Sequence, residues 1–238
     1  MTAPRVIGSS LGIQTVGANT SDINGLGPPC VLLPANSLAD GHLLLYLNGW
    51  DGDAGAITPP TGFGAITGIT NGVHASATPT LGCFSKVASS EPVGTSYVSS
   101  WVNGEHHVAG MLAIDGHNGI NIAARAEGTN AAPIAPTVTT TVDNCLIVQG
   151  VVYDSEREPH LQNDGVYTLK DYFSCKGPSA GASLFGGTRI QAAAGATGTF
   201  TFAIAATDEW IAFTIAIAPG PWLGNPIGLP GNMRGGMQ

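Results

Sequence analysis

The chain has 238 residues, enough for one large core, and only 10% of them are charged, against about 25% in an average soluble domain. Eight Lys and Arg set against sixteen Asp and Glu leave a net charge of −8 with no basic stripe, which excludes nucleic-acid binding and a polybasic membrane anchor. The opening "MTAPRVIGSS" lacks the basic and apolar regions of a secretory signal, and the apolar runs "LLLYL" and "WIAFTIAIA" are too short to span a bilayer as helices, so neither secretion nor membrane insertion is expected.

In chain order, strands are expected over residues 5–16, 29–33, 42–48, 81–88, 95–102, 107–114 and 145–153. Gly, Pro, Asn and Asp clusters such as "NGWDGDAG" and "TPPTGFG" separate them as turns and loops. In "VYTLKDYFSCK", Tyr167, Leu169, Phe173 and Cys175 alternate with Thr168, Lys170 and Ser174. Within "GASLFGGTRIQAAAGA" a short helix is conceivable, although its glycines oppose one. Phe200, Phe202 and Ile204 share one face of the next strand. In the last, Ile211, Phe213, Ile215 and Ile217 alternate with Ala212, Thr214, Ala216 and Ala218. Period-two alternation of this kind marks half-buried antiparallel strands. Short strands without a βαβ rhythm give an all-β fold, an antiparallel, jelly-roll-like β-sandwich over residues 1–218. The uncharged Ala/Thr face of the last strand calls for a cover, which a partner subunit would supply.

Residues 219–238 read differently. Half are Gly or Pro, one is charged, and no helix or strand period runs through them. They form an extended C-terminal arm, with a reach of at most about 65 Å. Trp222, Leu223, Ile227, Leu229 and Met233, followed by Met237, are spaced along it as anchors for a neighbouring protein.

Catalytic and metal motifs are tested and set aside. "GPSAG" places Ser179 in a nucleophile-elbow pattern, but the last histidine is His160, so the order Ser, acid, His cannot be met through Asp208. Glu105, His106, His107, Asp115 and His117 look like a metal cluster, yet adjacent histidines diverge on a strand, and only Asp115 and His117 share a face. The acidic run "YDSEREPH", with Glu156 and Glu158, reads as a solvated loop rather than a paired-carboxylate site. Asp51 and Asp53 sit in a glycine loop that lacks the further acids of a calcium loop. Cys30, Cys83, Cys145 and Cys175 are too widely spaced for a CxxC site and read as reduced core thiols. No enzyme activity, cofactor or metal is therefore expected. A glycan-binding site on the loop of Trp50, Asp51 and Asp53, with Trp50 or Trp101 as stacking platform, is the alternative; a host-surface glycan would be its ligand.

The series "LADGHLLLYLNGW", "ITPPTGFGAI", "CFSKVASSEPVGTSYVSSW", "APIAPTVTTTVDNCLIVQGV" and "AAAGATGTFTFAIAATDEWIAFTIAIAP" resembles jelly-roll-like β-sandwich structural proteins of tailed bacteriophages. The resemblance covers roughly residues 5–219 and rests on packing and turn residues. It departs from the family form at His42, where an acid is common, and at Phe63, where Trp is common. It implies a virion protein, assembled in the host cytoplasm. A capsid decoration is favoured over a tail-fibre or baseplate protein because the first strand starts almost at Met1. Its partners would be other virion proteins and copies of itself, as a homo-oligomer such as a trimer.

Overall fold

A computed structural model describes residues 1–13, 30–31, 39–52, 57–76, 78–91, 96–100, 107–155, 160–161, 170–176 and 181–221, with backbone alone at 8–13, 30–31, 96, 107, 160–161 and 170–176. Every helical or extended element among them is a strand. Ten carry the fold: β1 Arg5–Ile13, β2 Leu43–Trp50, β3 Thr80–Val87, β4 His107–Asp115, β5 His117–Asn130, β6 Cys145–Tyr153, β7 Lys170–Lys176, β8 Ser183–Gln191, β9 Phe200–Ala203 and β10 Asp208–Pro219. Nine of them pair antiparallel into one sheet of order β1-β4-β2-β3, extended by Gly64–Ala65 and Gly72–Val73 on β3, and a second of order β7-β8-β6-β10-β5, while β9 pairs with Ile134–Ala135 and His160–Leu161 in a small separate sheet. The chain is an all-β sandwich.

Between the sheets, Leu43, Leu45, Leu47, Leu112 and Ile114 meet Leu146, Val148, Leu184, Phe213 and Ile215. Burial does not stop there. Leu44, Tyr46, Phe84 and Met111, on the outer face of the first sheet, lie beneath Phe63 and Tyr97. On the outer face of the second, Val151, Tyr153, Phe185 and Ala212 lie beneath Ala135, Phe200, Phe202 and Ile204, while Ile147 and Ala216 pack with Val138. That is why "LLLYLNGW" and "CLIVQGVVY" are buried at every residue instead of alternating.

This outer layer corrects the half-buried reading of β10. Its Ala/Thr face is covered by the chain itself: Ala212, Thr214 and Ala216 are fully buried, and the Thr214 hydroxyl donates to Pro136 O at 2.6 Å. Small side chains fit there because a second layer packs directly over them, so this face no longer requires a partner subunit. Arg189 ties the layer down, donating from Nε to Gln149 Oε1 at 3.1 Å and from Nη2 to the Thr197 carbonyl at 2.5 Å.

Two further differences from the sequence expectations have physical causes. The stretch expected to admit a helix is β8, held by full-length ladders to β6 and, in part, to β7. Its Gly186 lies opposite Gly150, and this flat bed carries the Phe213 ring, 2.4 Å from where a Gly150 Cβ would stand. β5 was not expected at all, because "HNGINIAARAEGTN" has weak strand propensity; the ladder to β10 imposes its conformation.

A strap from the first sheet closes one side of the sandwich. Ile66 and Ile69 enter the central core, and Arg125 of β5 donates to the Thr70 carbonyl at 2.8 Å. Gly68 (φ 93°) lies so near β5 that a Cβ there would be 2.2 Å from Ala123 O.

Candidate functional site

Titratable side chains converge at one end of the sandwich, where β1 begins, β2 begins, β4 turns into β5 and β10 ends. The turn is a single residue, Gly116 (φ 74°), so Asp115 closes one sheet and His117 opens the other. The antiparallel register brings Arg5 opposite Asp115 and Pro219 opposite His117.

Asp115 is buried, and Arg5 Nη2 stands 3.4 Å from its Oδ2. His42, also buried, has Nε2 3.8 Å from Asp115 Oδ1. The Ala39 amide donates to His42 Nδ1 at 2.8 Å, so the proton of the neutral ring sits on Nε2 and faces the carboxylate. His117 holds a matching role: its Nε2 donates to Gly41 O at 2.7 Å, and its Nδ1 accepts the Gly119 amide at 3.0 Å. Burial holds the His42 pKa below the ordinary 6.5, the Asp115 charge opposes this, and His117 and Arg5 reinforce it.

The backbone is knotted at the same place. Gly41 N donates to Ala88 O and Ala88 N to His42 O, both at 2.8 Å, and the Ser90 amide is bonded to the Asp40 carboxylate. Gly220 N donates to Gly116 O at 2.6 Å, and a Cβ at Gly220 would lie 2.1 Å from His117 O. The last strand thus runs through Pro219, and Gly220 is clamped against the β4–β5 turn.

A second polar group covers the first sheet. Lys86 Nζ is 2.5 Å from Glu91 Oε1, the Tyr97 hydroxyl donates to the other Glu91 oxygen, and Lys86 Nζ lies 5.3 Å from the Tyr97 ring centroid. Phe63 meets Tyr97 edge-on at 5.0 Å. This cluster fixes the cover of the sheet.

The residues singled out from the sequence are distributed as follows. Trp222, Leu223, Ile227, Leu229 and Met233 lie outside the described residues, as do Asp53, Trp101, Glu105, His106, Glu156, Glu158 and Ser179. Trp50 is fully buried beside Ile57, so it offers no ring face for a sugar; Asp51 follows it at the opposite end of β2 from His42. Cys83 and Cys145 are free, buried thiols. Among the described residues, no group of three or more His, Cys, Asp and Glu is arranged to hold a metal ion.

Asp115 and His117 do share a location, but with Arg5 and His42 rather than as a metal pair. Arg5 drew no attention in the sequence because it is 110 residues from its partner. His42 carried one signal, its departure from the pattern of the resemblance. Comparison of the chain with protein-family models, curated proteins and solved structures found no match.

Proposed function

We propose that this chain is a structural protein on the surface of a tailed-phage virion, a capsid decoration or cement-type accessory, docked to its neighbours through the segment that follows Pro221. A tail-fibre or baseplate position is the variant of the same reading. The observation that carries it is the clamp on Gly220, which fixes the chain against Gly116 and His117 two residues before Trp222.

Two other features support the reading. Much of both sheets is covered on both faces by the chain's own layers, and the large described apolar side chains are buried or partly buried apart from Met1, Val87, Ile122, Ile134, Val142 and Ile190. Attachment through the segment with Trp222, Leu223, Ile227, Leu229 and Met233 then has the anchors that the sandwich has used internally. The low charge of the chain fits a surface that is packed among other subunits.

The test is co-sedimentation with the parent particle, together with light scattering, for the full chain, a chain ending at Pro221, and the full chain carrying Trp222→Ala, Leu229→Ala and Met233→Ala. Loss of particle binding in both variants, with the sandwich folded, is the expected result. Unchanged binding and oligomeric state would sink the docking role and direct the search to a glycan panel.

A further inference from the structure

We infer that His42 is the bolt of a pH-sensitive latch, whose protonation releases the 39–42 loop from the strand ends it joins. The inference rests on the corner's geometry and holds whether or not the segment beyond Pro221 docks on a virion.

Of the two bonds that close the loop, His42 N to Ala39 O at 3.2 Å is backbone, and the other requires a neutral imidazole. His42 Nδ1 must keep its lone pair to accept the Ala39 amide at 2.8 Å. A second proton would sit on Nδ1 and face that N–H, turning the bond into donor against donor. The same charge is attracted to Asp115, whose Oδ1 is 3.8 Å from Nε2. Loss on one side of the ring and attraction on the other both move it away from Ala39 and toward β4.

The ring's movement is transmitted through its own backbone. His42 O accepts the Ala88 amide, the adjacent Gly41 N donates to Ala88 O, and Gly41 O accepts from His117. Loosening the loop therefore loosens the end of β3 and the start of β5, beside the Gly116–Gly220 clamp.

The charged and titratable groups facing His42 come from three strands: Arg5 of β1, Asp115 of β4 and His117 of β5. Arg5 already engages Asp115 from 3.4 Å, which weakens the pull of that carboxylate on a protonated His42. Burial adds to the same preference and holds the His42 pKa below 6.5, so the latch stays shut at neutral pH and opens as the pH falls through that lowered pKa.

The experiment is an NMR titration of the full chain from neutral pH downward, following the His42 ring nitrogens and the exchange protection of the Ala39, Gly41 and Ala88 amides, corrected for intrinsic exchange. The expected result is an unprotonated Nδ1 at neutral pH and at least a tenfold loss of protection at all three amides as His42 takes up its proton. A His42→Asn chain, in which the side-chain oxygen replaces Nδ1 as acceptor, should keep that protection across the range. Protonation of His42 with protection intact would overturn the latch, as would the same loss in His42→Asn, or a His42 that stays neutral until the whole chain unfolds. The wild-type titration decides by itself if the His42→Asn chain fails to fold.

Discussion

Gly49 and Val152, each next to the last residue of its strand, meet across the sandwich: a Cβ on Gly49 would lie 2.4 Å from Val152 Cγ1 and 2.6 Å from Cγ2. One sheet supplies bare backbone and the other a branched side chain, and the two sheets approach closely because of it. Valine cannot turn aside cheaply, since its χ1 is restricted in a strand. Gly49→Ala is therefore expected to cost about 1–3 kcal/mol by overpacking. Urea unfolding checks this, and a Gly49→Ala/Val152→Ala chain should be more stable than the two single losses summed.

The outer layer on the second sheet depends on Arg189, which reaches Gln149 and the Thr197 carbonyl from a buried position. Arg189→Ala leaves those acceptors dry and is expected to destabilise by about 1.5–3 kcal/mol, the range for bonds to a charged group. Arg189→Lys should recover less than half, because an ammonium cannot reproduce the planar fork. Equal stability of all three chains would remove this role.

Glu91 makes a pH prediction. Burial alone would raise its pKa, but bonds from Lys86, Tyr97 and the Ser89 amide outweigh that and hold it below the ordinary 4.5. A depressed carboxyl contributes stability that is complete above 4.5 and is lost as pH falls through the lowered pKa. The stability gap between wild type and Glu91→Gln should accordingly narrow below pH 4.5, measured by urea midpoints; a gap independent of pH would count against the cluster.

Burial pushes the Cys83 thiol far up, with Arg125 opposing only weakly, and raises Cys145 as well, where Asp143 adds to it. Neither thiol is expected to react with iodoacetamide in the native protein in mildly alkaline buffer, and both should react once urea unfolds the chain. Peptide mapping by mass spectrometry reads the two sites separately.

At the corner, Gly220→Ala places a methyl against His117 O and Asn118 N, both backbone atoms that cannot swing aside. The end of β10 should detach from Gly116 while the core stays folded, which would appear as faster exchange of the Gly220 amide with little change in the urea midpoint. Unaltered exchange would show that the corner tolerates the methyl.

Legibility followed the range of the interactions. The alternation of Phe200, Phe202 and Ile204, and of Ile211 to Ile217, is local, and both strands form with those residues buried. β5 was hidden because Ala123, Ala124 and Gly128 carry little strand preference of their own; only the β10 ladder makes them extended. In the candidate site, Asp115 and His117 were visible as neighbours one glycine apart, whereas Arg5 and His42 join them through register, which no local pattern encodes.

What the order of amino acids determined alone was the all-β class, most of the strands and the want of charge, since period-two patterning and turn residues act within a few positions of themselves. Tertiary structure decided which faces are covered. The Ala/Thr face of β10 looked like surface awaiting a partner, and the chain's own outer layer fills it. Tertiary structure also decided where the titratable groups gather, because strands distant in sequence end at the same corner and bury a carboxylate that Arg5 and His42 must then answer.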